Sequence, residues 1–153
     1  MKKRGKQFKA KKDPNAFMRV IMGVKPLSKS QQTEIGIAYH MAFDSMRKGV
    51  GQEGDFHTIA CSLNIALILS ERGYGTDWID QIKAAQAGLI RCLIRGQKTG
   101  SWGLDGPAMT VLAEALALHD EQIELATGKE IREAIAEVHR RVIVGEVLKT
   151  EKL

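Results

Sequence analysis

Through five successive stretches of the chain, apolar residues recur every three or four positions, and a helix cap or a glycine fences each stretch. This punctuation constrains the fold more than any other feature. Side chains three and four apart share one face of an α-helix, whereas a half-buried strand needs strict alternation. No alternating run of strand length competes, although Ser101 to Leu104 would suit a short extended piece.

The first main stretch opens at Ser28 or Ser30 and runs to about Lys48, with Ile35, Ala38, Met41, Ala42 and Ser45 on one side and Gly49 and Gly51 after it. A second, from about Glu53 to Arg72, carries Phe56, Ile59, Ala60, Leu63, Ala66 and Leu67, and adds Ile65, Ile68 and Leu69. A stripe that wide predicts the most buried, central helix. Gly73 and Gly75 supply a turn, and Thr76 is a suitable cap for the third stretch, whose face is Trp78, Ile82, Ala85, Leu89, Cys92 and Leu93, with Gly96 as its stop. Pro107 falls at the start of the fourth, after Asp105 or Gly106 as cap. Thr127 to Glu130 has the form of a capping box and opens the fifth, through Ile131, Ile135, Val138 and Val142 toward Val147. Each apolar stripe must be covered by another, so the expected fold is an all-α, single-domain bundle of about five main helices. A shorter helix, capped by Asn15 and ended by Gly23 and Pro26, is predicted ahead of it from Phe17, Val20, Ile21 and Val24.

Charge divides the chain sharply. Lys2, Lys3, Arg4, Lys6, Lys9, Lys11 and Lys12 precede the first acid, so of 23 basic and 18 acidic residues the chain beyond residue 12 keeps 16 and 18. The net charge of +5 belongs to the start of the chain, and the remainder is mildly acidic. Residues 1–15 read as a flexible basic arm, too poor in apolar groups to offset the entropy of ordering, and residues 16–150 as the helical bundle domain. In the arm, Phe8 can stack on a base while the seven cations neutralise phosphates, which predicts weak, salt-dependent and sequence-tolerant contact with nucleic acid. The other reading is a solubilising tail.

A hydrophobic share of 44% and a charged share of 27% are globular, and no apolar stretch approaches the roughly 20 residues that cross a bilayer. With no apolar signal segment after the basic start, the expectation is a cytoplasmic protein without membrane contact. The two cysteines, Cys61 and Cys92, fall in apolar helical patterns where a reduced thiol behaves as a small hydrophobe, and no disulfide is expected.

Candidate chemistry is sparse. His57 and Cys61 stand four apart, as two zinc ligands would, but a structural zinc needs two more, so no metal is expected. His40 and Asp44 share the same spacing and suit a base with its carboxylate or a surface hydrogen bond. His119, Asp120, Glu121 and Glu124 read as a solvated helix face. Neither a phosphate-binding glycine loop nor a nucleophile elbow occurs. A helix-turn-helix across Gly73 to Gly75 is disfavoured by Asp77 and Asp80 at the end that would enter the major groove. In the link Lys98-Thr99-Gly100-Ser101-Trp102-Gly103, Lys98 and Trp102 form a candidate partner-binding surface, the alternative being an indole that folds back to plug the bundle.

The order of signals, from KKRGKQFKAKKDP and GVKPLS through DWIDQIKAAQAGLIRCLIRG to LDGPAMTVLAEALALHDEQIELAT, resembles uncharacterised small helical proteins of bacterial phages, prophages and other mobile elements. The resemblance covers most of the chain but rests on helix punctuation and core pattern, so it implies a genetic context and no catalytic position. The resulting expectation is a non-catalytic accessory or regulatory binding protein that uses no cofactor. Its helical body would bind a protein partner or a second copy as a homodimer, and its arm nucleic acid. Two rivals are an inhibitor of a host enzyme or defence complex acting by protein contact alone, and an enzyme built on His40, His57 or His119, which requires those imidazoles to converge.

Overall fold

The computed structural model describes residues 25–144. The predicted basic arm, the short helix over 15–24 and the continuation of the last helix past Val144 lie outside the described residues. Within them the chain forms five α-helices: α1 (Lys29–Arg47), α2 (Glu53–Glu71), α3 (Ile79–Thr99), α4 (Gly106–Leu125) and α5 (Gly128–Val144). A short 3-10 turn, Thr76–Trp78, precedes α3. The described residues contain no strand beyond one isolated bridge between Pro26 and Thr127, so the extended piece at 101–104 does not form. The bundle is all-α, and none of its helices is long and apolar enough to cross a membrane.

Capping chemistry sets most of the boundaries. The Ser28 hydroxyl accepts from the Gln31 amide while the Gln31 side chain accepts from the Ser28 amide, which satisfies two donors that the first turn leaves unpaired. Asp105 does the same for Ala108, with Pro107 just inside the helix start. At α5 the predicted box closes in both directions: the Thr127 amide donates to Glu130 and the Glu130 amide to the Thr127 hydroxyl.

The third boundary differs from the sequence reading. Thr76 does not cap; its hydroxyl donates instead to the Ser70 carbonyl at the end of α2, and α3 begins only at Ile79. Nor does α3 stop at Gly96. It runs on to Thr99 and ends at Gly100, whose φ of 74° is left-handed and suits glycine.

Helix α2 is the centre. Phe56, Ile59, Ala60, Leu63, Ala66 and Leu69 are wholly buried, and α1, α3, α4 and α5 all pack on it. Burying each large aliphatic side chain stabilises by about 1.5–3 kcal/mol, so this helix organises the core. Two stripes match the periodicity only in part: Ala42 on α1 and Ile131 and Val138 on α5 are inward as predicted, and the other positions shift. On α1 the inward residues are Tyr39, Ala42 and Met46, which leaves Ala38 and Met41 exposed; on α5 they are Ile131, Ala134 and Val138, which leaves Ile135 on the flank. On α5 the small Ala134 turns inward against α2 and the larger Ile135 rotates to the flank, whereas on α1 the inward row includes the large Tyr39 and Met46.

Candidate functional site

Polar side chains converge where α1, α4 and the end of α2 meet. Tyr39, from the inward stripe of α1, is buried, and its hydroxyl donates to Asp120 Oδ1 at 2.5 Å. The imidazole of His40 reaches the same carboxylate, with Nε2 2.8 and 2.9 Å from its two oxygens. Beneath them His119 is only 2% exposed, its ring 5.2 Å from that of Tyr39. Gln122 completes the network, its amide nitrogen donating to Ala66 O, Ser70 Oγ and Tyr74 O, which ties α4 to the end of α2. With that nitrogen committed as donor, Gln122 Oε1 faces His119 Nδ1 at 3.0 Å and must accept, which places the proton of the neutral imidazole on Nδ1.

Burial sets the protonation states. Desolvation holds the His119 imidazolium well below the ordinary histidine range, only partly countered by Gln122 and Asp120, so the ring stays neutral near pH 7. Burial, followed by the Asp120 carboxylate, pushes the Tyr39 hydroxyl well above the ordinary tyrosine range. Within the cluster the Tyr39 hydroxyl and the Gln122 amide nitrogen are donors already committed to acceptors. The depression beside it, lined by Lys29, Gln32, Thr33 and Glu124, measures about 220 Å³ and is open to solvent. Of the hydroxyls that line it, Thr33 donates back to the Lys29 carbonyl and Tyr39 to Asp120.

Several sequence expectations need correction. His40 does not pair with Asp44. It pairs with Asp120, while Asp44 holds Arg47 and Lys48. Residues four apart were the local option, and the fold brings His40 instead to a carboxylate eighty residues away. His119 is not on a solvated face; it continues the buried row of Leu112, Ala115 and Leu116. His57 and Cys61 do not form a pair: His57 Nε2 lies 3.5 Å from Glu53, and Cys61 is an exposed side chain, where a core thiol was expected. Of the three candidate histidines, His40 and His119 therefore share a cluster and His57 stands apart. Among the described residues no three His, Cys, Asp or Glu side chains gather as a metal site.

Lys98 lies in the last turn of α3, exposed, and not in the following link. The Trp102 indole is half-buried, packs against Phe56 at a ring separation of 5.7 Å and lies flat on the backbone of Gly96. It occupies the end of the bundle. The arm residues Lys2, Lys3, Arg4, Lys6, Phe8, Lys9, Lys11 and Lys12 lie outside the described residues. A surface the sequence reading missed surrounds Trp78, which is 43% exposed. Trp78 and Gln81 face Glu114, Leu118 and Glu121 of α4 across a cleft of about 380 Å³. Trp78 had been assigned to the buried face of α3, but the 3-10 turn rotates it off that face.

No family model matches the chain, and neither a curated protein nor a solved structure matches it.

Proposed function

We propose that the protein is a non-catalytic accessory binding protein of a phage or other mobile element. Its helical body would engage a protein partner or a second copy, and residues 1–12 would contact nucleic acid. The division of charge carries this reading. Seven cations and no acid occupy residues 1–12, whereas α4 carries Glu114, Asp120, Glu121 and Glu124 and no lysine or arginine. Phosphates are attracted to the first and repelled by the second, so contact with nucleic acid would be confined to the arm.

Binding of single- and double-stranded oligonucleotides, followed by fluorescence anisotropy at 50 and 200 mM salt, tests the proposal. If six or seven phosphates are neutralised, affinity should fall by about a thousandfold between the two salt concentrations. A chain lacking residues 1–12 should lose binding at both. Undiminished binding by the shortened chain, or none by the full one, defeats the role given to the arm. The second outcome would favour inhibition by protein contact alone, a reading supported by the exposed Trp78 in its acid-flanked cleft.

A further inference from the structure

The cleft at Trp78 differs from the rest of the described surface in how its charges are met. Four carboxylates among the described residues, Asp77, Asp80, Glu114 and Glu121, have neither a basic side chain nor a hydrogen-bond donor against them, and all four lie in the two segments, 77–81 and 114–121, that wall the cleft. Every other described carboxylate faces a basic side chain or accepts a hydrogen bond, as Asp44, Glu71, Asp105 and Glu137 do with lysine or arginine. Asp77 and Asp80 stand at the start of α3, where the helix dipole favours negative charge. Glu114 and Glu121 lack that compensation: they lie in the interior and toward the C-terminal end of α4, which has no basic residue in its last turn.

The two glutamates are two turns apart, so they share one edge of α4 at a separation of about 10 Å, and the exposed Ala117 and nearly buried Leu118 lie between them. At the opposite wall Gly75, with a φ of 89°, runs so close that an added Cβ would stand 3.1 Å from Leu118 Cδ1 and 3.6 Å from Trp78 Cδ1. That close turn holds the indole at the mouth of the cleft while leaving it exposed. No lysine or arginine lines the cleft. A planar cation satisfies such a site, since a guanidinium stacks on an indole face and offers paired N–H donors to a carboxylate. A phosphate would be repelled, and a purely apolar ligand would desolvate the carboxylates without pairing them. We propose that the Trp78 cleft docks an arginine-bearing basic segment of a partner protein, with one guanidinium on the indole and paired with Glu114 or Glu121, and an adjoining apolar side chain on Ala117 and Leu118. The proposal rests on the protein-binding role given to the helical body, and its failure is separable from that of the arm, whose nucleic-acid binding is read in a different titration.

The test is the fluorescence anisotropy of a labelled peptide with arginines three residues apart among alanine and leucine, titrated with the full chain at about 50 mM salt beside a lysine version of the same peptide. Trp78→Ala, and separately the pair Glu114→Gln, Glu121→Gln, should each weaken binding of the arginine peptide by about tenfold or more, and the lysine peptide should bind the unaltered chain about fivefold less tightly. The pair Glu34→Gln, Glu53→Gln removes the same charge from elsewhere on the body and should change affinity by less than about twofold. Absence of binding overturns the proposal. So does an equal loss from the two glutamine pairs, which would mean diffuse attraction to an acidic surface. If the full chain fails to bind and the chain lacking residues 1–12 binds, the cleft belongs to the chain's own basic segment, and the proposal is likewise overturned. Should Trp78→Ala lower the urea midpoint, the Glu114→Gln, Glu121→Gln pair, placed on exposed side chains, decides alone.

Discussion

Replacing Gly96 with alanine tests the packing at the end of the bundle, because two effects of opposite sign meet there. In an ordinary helix interior the change should stabilise by up to about 1 kcal/mol, since glycine forfeits more backbone entropy than alanine. Here a Cβ would stand 2.5 Å from Cδ2 and Cε3 and 2.7 Å from Cε2 of Trp102, well inside contact distance and against the fused part of the ring. The indole cannot simply withdraw. Cys92 Sγ donates to the Trp102 carbonyl at 3.3 Å, Arg95 donates to the Gly103 carbonyl, and the Leu104 amide donates to Met46 O at 3.3 Å. Overpacking of this kind costs about 1–3 kcal/mol, so it outweighs the helix gain and leaves a net loss of about 1–2 kcal/mol. For a chain of this length that corresponds to a melting temperature lower by roughly 2–8 °C. Urea denaturation and thermal melting read the loss, and Trp102 emission, recorded in a Trp78→Phe background, reads displacement of the ring. The double variant supplies the decisive comparison: with Trp102→Ala the clash is gone, and Gly96→Ala should become neutral or stabilising. An equal loss in both backgrounds, or a stabilised single variant, would refute the account of Trp102 as a plug held on Gly96.

Two further predictions come from the polar network. Gln122→Ala leaves His119 Nδ1–H without its acceptor and removes the bonds to Ala66 O, Ser70 Oγ and Tyr74 O, although Ser70 Oγ still donates to Tyr74 O, so stability should fall by about 1–3 kcal/mol; a loss below 1 kcal/mol in urea would show that the network does not join α4 to α2. Because burial depresses the folded-state pKa of His119 below its unfolded value near 6.5, the unfolded chain takes up the proton first, and stability should decline as pH drops below about 6.5. His119→Leu should flatten the difference in urea midpoint between pH 7.5 and 5.5, and an unaltered difference would mean that another group governs it.

How much of this was legible in the sequence depends on the range of each interaction. Helix number and the caps at Ser28, Asp105 and Thr127 were readable, because a side chain within three residues of an unpaired amide decides them. The all-α class followed from periodicity, and so did the central place of α2, whose apolar stripe is too wide for one neighbour to cover. The inward rows of α1 and α5 were readable only to within one position. Periodicity fixes a face to about a third of the helix circumference, and fit against α2 selects Tyr39 over Met41 and Ala134 over Ile135.

The candidate sites depended on longer reach. His40 and Asp120 lie eighty residues apart in sequence, and nothing in either local pattern links them. Gly96 looked like a helix stop because glycine usually is one. Its role as the surface beneath an indole exists only once the link folds back. The same holds for Trp78, turned outward by a 3-10 turn, and for Cys61, left at a groove when α5 settles on α2. Sequence alone determined the helices and the separation of charge, since both reside in residues near one another along the chain. Tertiary structure decided which imidazole meets which carboxylate and which apolar residues stay uncovered, because those outcomes require distant segments to compete for the same space.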